Sequence, residues 1–229
     1  MEWIIEVVNV TKIYRMGEVE VPALNGVNLG VKTGEFMSVM GPSGSGKTTL
    51  LHLIGALDRP TEGRVLIKGV DISTLSDDEL AELRNREIGF VFQFFNLIPR
   101  MTAVENVELP MAFAGVPREK RRKRAIGLLE KVGLGDRVNH RPTELSGGEQ
   151  QRVAIARALI NNPSVMLCDE ITGNLDTKTG EEILRLLREL NKEQQQTFVL
   201  VTHAPRVARS TDRVAYMQDG MIVKEELMG

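Results

Sequence analysis

Gly41-Pro-Ser-Gly-Ser-Gly-Lys-Thr48 is the stretch of sequence that decides the fold of this chain. Its glycines let the backbone turn back on itself and point several N–H groups at one anion. Lys47 adds a positive charge for phosphate oxygens, and the Thr48 hydroxyl can bind Mg²⁺. The stretch matches G-x-x-x-x-G-K-[ST], the pattern of a loop that binds nucleotide phosphates.

The residues on either side of this phosphate-binding loop support the same interpretation. Residues 35–40 are predicted to form a short buried strand, and Lys47–Ile54 has the apolar spacing of a helix. The positive end of the helix dipole then faces the phosphates. A glycine-rich turn that matched the pattern by chance would need neither the strand before it nor the helix after it. We predict that these residues bind the nucleotide: Gly41, Pro42, Ser43, Gly44, Ser45, Gly46, Lys47, Thr48 and Thr49.

The overall composition limits the classes of function. The chain has 229 residues, 42% of them apolar and 26% charged, which is enough for one large domain with a sizeable core. A net charge of −2 offers no electrostatic attraction to a nucleic acid, so we expect no such partner. Cys168 is the single cysteine, which excludes an internal disulfide and fits a reducing cytoplasm. We find neither a signal peptide nor an apolar run of about 18 residues, so work at a membrane requires another chain as anchor.

The strand patterns predict an α/β fold. Residues 1–40 favour strands, with short strands near residues 4–8 and 27–31. Later strands are predicted at Ile88–Phe92, Val165–Asp169 and Phe198–Thr202, and their apolar character suits a parallel sheet covered on both faces. We also predict turns at three glycines in the first segment: Gly17, Gly26 and Gly34.

Residues 94–145 lack the strand pattern and are predicted to form an inserted helical lobe. Thr102–Leu109 has helical spacing that Pro110 should disturb, and a second helix is predicted over 117–132. The basic first half of that second helix is either a solvated face or a contact for anionic lipid. We therefore expect a single domain over residues 1–229.

A carboxylate pair follows one of the buried strands. Val165–Asp169 delivers Asp169 to the end of the strand, where a carboxylate can hold Mg²⁺ beside a bound nucleotide. Glu170 comes next and can accept a proton from an attacking water. The alternative is that Asp169 and Glu170 are merely two surface acids after a strand. The phosphate-binding loop in the same chain makes this alternative the weaker one.

A possible anion site lies at the start of a further predicted helix, which begins in Leu145-Ser-Gly-Gly-Glu-Gln150. Ser146 and Glu149 have the spacing of a capping box. Gly147 and Gly148 directly after the cap leave bare N–H groups at a positive helix end. The residues alone leave three readings open: a cap only, a site for a different anion, or a grip on the nucleotide of another copy of the chain.

Three further polar side chains are candidates from their positions. Gln93 and His203 follow predicted strands, and strand ends in an open α/β sheet face the ligand crevice. Gln93 can hold Mg²⁺ or the water, and His203 can donate to a phosphate. Tyr14 lies in a polar segment, where it either stacks on a purine or packs on an edge strand. His52 and His140 are assigned no role.

Taken in order, these motifs resemble the ATP-binding-cassette (ABC) ATPases over essentially the whole chain. The resemblance implies a P-loop NTPase core with a mainly parallel sheet, an N-terminal antiparallel β subdomain and an inserted α-helical subdomain. It also implies binding of ATP and Mg²⁺, with Tyr14 stacking on adenine and Gln93 linking Mg²⁺ to a transmembrane partner. The motif that carries it is highly specific: P-loop proteins at large lack Leu-Ser-Gly-Gly-Glu-Gln.

The resemblance also assigns roles to the second anion site. Ser146, Gly147, Gly148 and Glu149 resemble the signature that binds the γ-phosphate of the partner subunit, in a head-to-tail homodimer with two ATP molecules between the subunits. Asp176 resembles the interface residue of the D-loop. Thr48, Gln93 and Asp169 are the implied Mg²⁺ ligands, and Glu170, Gln93 and His203 the implied catalytic residues.

Finer similarity points to one branch of that family. Segments such as Thr102-Ala-Val-Glu-Asn-Val107 look like the lipoprotein-releasing and macrolide-exporting cassettes. Two residues depart from the family pattern: Ile171 stands where proline is usual, and Ala204 where aspartate is usual. Isoleucine leaves free the φ angle that proline would fix beside Glu170.

The expected function is that of an Mg-ATPase that drives a separate membrane permease from the cytoplasmic face of the cell membrane, as a peripheral subunit. The alternative is an ATP-driven conformational switch that acts on a membrane partner without moving a substrate, as in the cell-division cassette, which is a close relative of this branch. A nucleic-acid or chromosome ATPase would need a long coiled-coil insertion, zinc-binding cysteines or a second cassette, and we find none of these in the sequence. The transported substrate is not encoded in these motifs.

Overall fold

The computed structural model describes residues 3–17 and 19–228. Short 3₁₀ turns lie at Ile72–Thr74 and Pro142–Glu144. The strands are β1 (Trp3–Met16), β2 (Val19–Lys32), β3 (Phe36–Met40), β4 (Glu62–Ile67), β5 (Val70–Asp71), β6 (Ile88–Val91), β7 (Val165–Asp169), β8 (Thr197–Thr202), β9 (Arg213–Gln218) and β10 (Met221–Leu227). The helices are α1 (Lys47–Ile54), α2 (Asp77–Glu87), α3 (Ala103–Phe113), α4 (Arg118–Lys131), α5 (Gly147–Leu159), α6 (Thr177–Gln194) and α7 (Pro205–Ala208).

The strands form two sheets of different kinds. One is antiparallel, with the order β2-β1-β4-β5. The other has the order β10-β9-β3-β8-β7-β6, in which only the β9–β10 pair is antiparallel. Both the mainly parallel core and the N-terminal antiparallel subdomain are therefore confirmed.

The parallel sheet is buried on both faces, as its apolar strands predict. Alternate residues of β7 point to opposite sides, so Leu167 joins the cluster shared with α1 and the antiparallel sheet. Met166 and Cys168 join the other cluster, which is made with helices α3 to α6. Because both faces are covered, polar side chains reach solvent only where the strands end, and the site is built there.

The helices of the expected lobe pack against the start of the following segment. Helices α3 and α4 lie within residues 94–145, and both contact α5, which begins at Gly147. Pro110 does not end α3, contrary to the expectation. The Ala114 N–H still bonds to the Pro110 carbonyl at 3.2 Å, and the buried Val104 and Val107 hold the helix in place despite the missing N–H.

The N-terminal strands are longer than expected, because Gly26 lies inside β2 and marks no turn. Its φ of +63° and the register shifts between Val10 and Ile13 on β1 form an irregularity within a continuous ladder. The Gly26 N–H donates to Thr11 Oγ1 at 3.2 Å, which replaces a ladder bond. Among the described residues, no helix has the length and apolar character needed to cross a membrane.

Candidate active site

The phosphate-binding loop runs from the end of β3 into α1 through two left-handed glycines. Gly44 and Gly46 have φ values of +80° and +97°. A Cβ on Gly46 would lie 2.6 Å from the Ala23 carbonyl oxygen, and one on Gly41 would lie 2.3 Å from that of Met217. Close packing therefore requires glycine at positions 41 and 46, and the left-handed backbone favours glycine at positions 44 and 46.

Two features of this loop fit a bound anion. The Ser45 hydroxyl is buried and has no hydrogen-bond partner among the described residues. The buried Lys47 ammonium donates to the Pro42 carbonyl at 2.7 Å, which holds it across the loop. Burial lowers the pKa of Lys47, and the charges of Glu170 and Asp169 oppose that shift. The loop thus presents a cation and an unsatisfied hydroxyl beside a pair of carboxylates.

Asp169 and Glu170 leave the end of β7 in different environments. Burial and the neighbouring Glu170 raise the pKa of Asp169, so its charge is costly without a cation close by. Glu170 has a φ of +45°, which a long side chain rarely adopts. Its N–H donates to the Val201 carbonyl of β8 at 3.0 Å, and this bond fixes the turn.

His203 pairs directly with Glu170. Nδ1 of His203 donates to Oε1 of Glu170 at 2.8 Å. The contact arises because β7 and β8 are neighbours in the parallel sheet, and each residue follows the end of its strand. The sequence predicted both residues but not the pair.

Gln93 reaches the same edge from β6, the neighbour of β7 on its other side. A Cβ on Gly173 would lie 2.7 Å from Nε2 of Gln93, so the amide packs against the turn after Glu170. Nδ2 of Asn174 donates to the Gln93 carbonyl at 3.0 Å. Gln93, Glu170 and His203 thus belong to three adjacent strand ends.

The proposed Mg²⁺ ligands are a hydroxyl, a carboxylate and an amide. Thr48, Asp169 and Gln93 offer the hard oxygen atoms that Mg²⁺ prefers, and such sites are usually completed by water and substrate phosphates. No cluster of three or more His, Cys, Asp or Glu side chains that would hold a metal by themselves occurs in the described part of the chain. The donor set fits a metal that arrives with a nucleotide.

The predicted capping box at the start of α5 is present. Oγ of Ser146 accepts the Glu149 N–H at 3.3 Å, and a Glu149 carboxylate oxygen accepts the Ser146 N–H at 2.8 Å. Hydrogen bonds from the backbone and side chain of Ser146 to the Glu149 carboxylate lower the pKa of Glu149. The cap uses the Glu149 N–H and leaves those of Gly147 and Gly148 without an intrahelical acceptor at a positive helix end.

Asp176 has a structural role at the start of α6. Its side chain caps the helix by accepting the Thr179 N–H at 3.1 Å and the Thr179 hydroxyl at 2.5 Å. A Cβ on Gly148 would lie 2.5 Å from Cγ2 of Thr179. Gly148 therefore lets the start of α5 approach the start of α6 closely, which brings Asp176 toward the candidate anion site at Ser146–Gly148.

Tyr14 pairs with Val21 of β2, on a part of β1 that extends beyond the ladder with β4, which ends at the Thr11–Glu62 pair. Its hydroxyl donates to Asp58 Oδ2 at 3.1 Å, and the Lys12 ammonium lies 4.9 Å from its ring centroid. Burial raises the pKa of Tyr14, while a hydrogen bond with Thr49 opposes the shift. The ring is thus fixed beside the first turn of α1.

Two residues that contact the Gln93 segment were missed by the sequence analysis. Arg157 of α5 donates to the Phe95 carbonyl at 2.8 Å and to the Asn96 carbonyl at 2.5 Å. Asn174, described above, holds the Gln93 carbonyl. The available signal for Arg157 was a lone arginine among the apolar residues of Ile155-Ala-Arg-Ala-Leu159.

The fold and this edge of the sheet define a P-loop nucleotide-binding protein. Comparison with known families is more specific, since the family model described as ABC transporter matches residues 24–173. The chain therefore belongs to the ABC transporter family, as an ATP-binding subunit.

Several relatives are similar over the whole chain. An uncharacterized ABC transporter ATP-binding protein of Thermotoga maritima is 57% identical over 229 residues, which cover 100% of this chain and 97% of that protein. The macrolide export ATP-binding/permease protein MacB of Syntrophobacter fumaroxidans is 53% identical over 97% of this chain but only 31% of its own length. A solved dimeric structure of the cassette MJ0796, in a post-hydrolysis state bound to ADP and Pi, has a TM-score of 0.90 at 53% identity and covers 98% of this chain and 99% of its own. MJ0796 comes from Methanocaldococcus jannaschii.

Proposed function

We propose that this chain is an Mg-dependent ATPase that drives a separate membrane permease by ATP-dependent, head-to-tail dimerisation. The observation that carries the proposal is the 2.8 Å contact between His203 Nδ1 and Glu170 Oε1. It lies at the strand edge where the charge of Glu170 also acts on Lys47 of the phosphate-binding loop. A carboxylate held this way beside a triphosphate site is placed to activate water.

Within this proposal each residue of the edge has a distinct task. Glu170 accepts a proton from water as the water oxygen attacks the γ-phosphorus and the bond to ADP breaks. His203 holds the Glu170 carboxylate in orientation and lies within reach of the phosphate. Thr48, Asp169 and Gln93 would hold Mg²⁺, which would supply positive charge for the phosphate oxygens.

The remaining site residues bind and orient the nucleotide. The Gly41–Thr49 loop surrounds the phosphates with N–H groups and Lys47, and Tyr14 offers the free face of its ring to adenine. The start of α5, with Ser146 and the two following glycines, is the site for the γ-phosphate held by a second copy. Glu149 positions Ser146 through the capping box, and Asp176 lies at the interface of the two copies.

A permease is the partner that the exposed apolar surface supports. A groove of about 1140 Å³ runs beside β6 and is lined by apolar side chains that include Leu57, Phe90 and Phe113. Phe113 is 78% exposed and Phe94 is 72% exposed, whereas Phe95 and Leu97 are half-buried. Exposed apolar surface of this kind marks an interaction site.

The exporter branch rests on the relatives. MacB is by its name an ATP-binding/permease protein for macrolide export, and this chain matches the part of MacB that is about as long as itself. We therefore place the chain among exporter or lipoprotein-releasing cassettes, peripheral to the cytoplasmic face of the membrane, in a single domain with residues 94–145 as its helical insertion. Substrate contacts then belong to the permease.

Glu170→Gln tests the mechanism directly. Glutamine keeps the shape but is a poor base, so hydrolysis should fall by about 10²–10⁴-fold while ATP binding is retained. Because bound ATP is not consumed, size-exclusion chromatography with light scattering should show a monomer without nucleotide and a dimer with Mg-ATP. Adding Ser146→Arg should return the protein to monomer by blocking the second anion site.

Two results would contradict the proposal. A Glu170→Gln protein that hydrolyses ATP at the parent rate removes Glu170 from the reaction. A Lys47→Ala protein that binds ATP as tightly as the parent contradicts the phosphate site itself, since that ammonium is the cation of the loop.

A further inference from the structure

The turn that follows Gln93 has a backbone conformation that needs external support. Phe95 and Asn96 have φ values of +55° and +50° in succession. Asparagine tolerates this left-handed region, but a bulky aromatic residue is a genuine outlier there. The Asn96 N–H donates to the Phe94 carbonyl at 2.5 Å, which makes the turn tight. Such a conformation persists only when the surrounding structure fixes it.

Arg157 supplies that support from α5. Nη2 donates to the Phe95 carbonyl at 2.8 Å and Nη1 to the Asn96 carbonyl at 2.5 Å, so one planar guanidinium holds both residues of the turn. Arg157 is partly buried at the edge of the groove beside β6, and burial lowers the pKa of its guanidinium. Hydrogen bonds from a cation are stronger there than at an open surface.

The same helix touches this turn at its other end. A Cβ on Gly147 would lie 3.8 Å from Cζ of Phe95, so the phenylalanine ring lies against the first residue of α5. Gly147 and Arg157 are separated by about 15 Å along a helix, at 1.5 Å per residue. The helix therefore holds the Phe95 ring near its N-terminus and the Phe95 carbonyl near its C-terminus.

Gln93 is confined on its other side as well. Asn174 donates to the Gln93 carbonyl at 3.0 Å, and the Gln93 amide packs on Gly173. The position of the Gln93 side chain is thus set between the turn that Arg157 holds and the loop that follows Glu170. If α5 shifts, either the turn that Arg157 holds or the contact of Gln93 with the loop after Glu170 has to change.

We propose that Arg157 is a positioning residue, which places the Gln93 amide through the Phe95–Asn96 turn and ties that amide to the N-terminus of α5. When an anion is engaged at the Ser146–Gly148 end of α5, the rigid helix transmits the displacement to Gln93 through Arg157. The inference rests on the proposed function, because it takes Gln93 to act at the nucleotide.

Arg157→Met is the first test, since methionine keeps the linear stem and removes both hydrogen bonds. We expect kcat for Mg-ATP to fall about tenfold, with KM for ATP within about twofold, because the phosphate-binding loop is untouched. Arg157→Lys should recover part of the lost kcat, because an ammonium can hold one of the two carbonyls.

Arg152→Met is the matched control on the same helix. Arg152 also donates to a carbonyl, that of Val132 at 3.2 Å, but it does not contact the Gln93 segment. Its kcat should stay close to that of the parent. Equal losses in Arg152→Met and Arg157→Met would show a general weakening of α5 and would overturn the inference.

A double-mutant cycle separates positioning from folding. If Arg157 acts through Gln93, then Arg157→Met should cause no further loss of kcat in a Gln93→Ala background. An equal loss in both backgrounds, or an unchanged kcat in Gln93→Ala alone, overturns the inference while leaving the ATPase assignment intact. If the proposed function itself is wrong, a different result is expected: nucleotide binding survives Lys47→Ala.

Asn96→Gly provides a variant that does not depend on the stability of Arg157→Met. Glycine adopts positive φ more freely than asparagine, so the Asn96 half of the turn needs less support while Phe95 keeps its conformation. Asn96→Gly combined with Arg157→Met should regain part of the lost kcat and should fold where the single variant does not. A double variant that folds but stays as slow as Arg157→Met contradicts the role assigned to the turn.

Discussion

Gly173→Ala adds one methyl group at the point where the Gln93 amide meets the loop after Glu170. The added Cβ would lie 2.7 Å from Gln93 Nε2 and 3.2 Å from both Gln93 Cδ and the Glu170 carbonyl oxygen. An ordinary contact is about 3.5 Å, so the amide must retreat by roughly 0.8 Å. A misplacement of about 1 Å in a catalytic constellation can cost about a hundredfold. We therefore expect kcat to fall by roughly ten- to a hundredfold.

The same substitution should leave the fold almost unchanged. Gly173 does not have a positive φ, so alanine introduces no backbone strain there. The closest atom is the far end of a flexible side chain, which can move without disturbing the core. The melting temperature should stay within about 2 °C of the parent value, equivalent to less than about 1 kcal/mol for a chain of this size.

Phosphate release at saturating Mg-ATP measures kcat, and differential scanning fluorimetry measures the melting temperature. Gly127→Ala is the control, because a Cβ there meets no atom within 4 Å on helix α4. It should leave kcat unchanged and stabilise the protein by about 0.5–1 kcal/mol. A Gly173→Ala protein with the parent kcat would refute the reasoning, since the amide would then not need its present position.

The remaining predictions concern stability and the turn after Glu170. Glu87→Gln should lower stability by about 1–3 kcal/mol near neutral pH, because the Glu87 carboxylate accepts from Lys68 at 3.0 Å and from Ser164. Burial opposes ionisation of Glu87, but these bonds hold its pKa below the ordinary value, so the difference should vanish in melting curves as pH falls through that lowered pKa. Gln151→Met should raise stability by about 1 kcal/mol, because both polar atoms of the buried Gln151 side chain lack a partner among the described residues; a lower melting temperature would reveal a bound water. Ile171→Pro should change kcat by less than about tenfold, because Ile171 is the second residue of a turn closed by the Gly173 N–H and the Glu170 carbonyl at 2.8 Å, where proline is favoured. A larger change in phosphate release would mean that Ile171 tunes the Glu170 carboxylate.

The parts of the site that lie on a strand end were predictable from the sequence. Gln93, Asp169 and His203 each follow an apolar run that reads as a buried strand, and parallel strands bring such ends to one edge. The capping box of α5 was predictable for a similar reason, because Ser146 and Glu149 are local partners. In each case the information lies within a few residues of the chain.

Contacts between distant segments were not predictable. Nothing local to Arg157 or Asn174 says that they bind carbonyls of the Gln93 segment, 62 and 81 residues away. The turn predicted at Gly26 was wrong for a different reason. A glycine gives the same local signal for a turn and for an irregularity within a strand. Pro110 was misjudged because the packing of α3 outweighs the cost of one missing hydrogen bond.

Two of the long side chains in left-handed backbone lie at the candidate catalytic edge, and each is held by a different element. Glu170 is fixed by the carbonyl of Val201 on β8, and Phe95 by the guanidinium of Arg157 on α5. Each conformation costs about 1–2 kcal/mol, so neither persists unless its supporting element is in place. Strand β8 leads directly to His203, and α5 begins at the second anion site. The geometry of Glu170 and Gln93 therefore depends on the two elements that we expect to sense the nucleotide, and loosening either one should slow hydrolysis without altering a reacting atom.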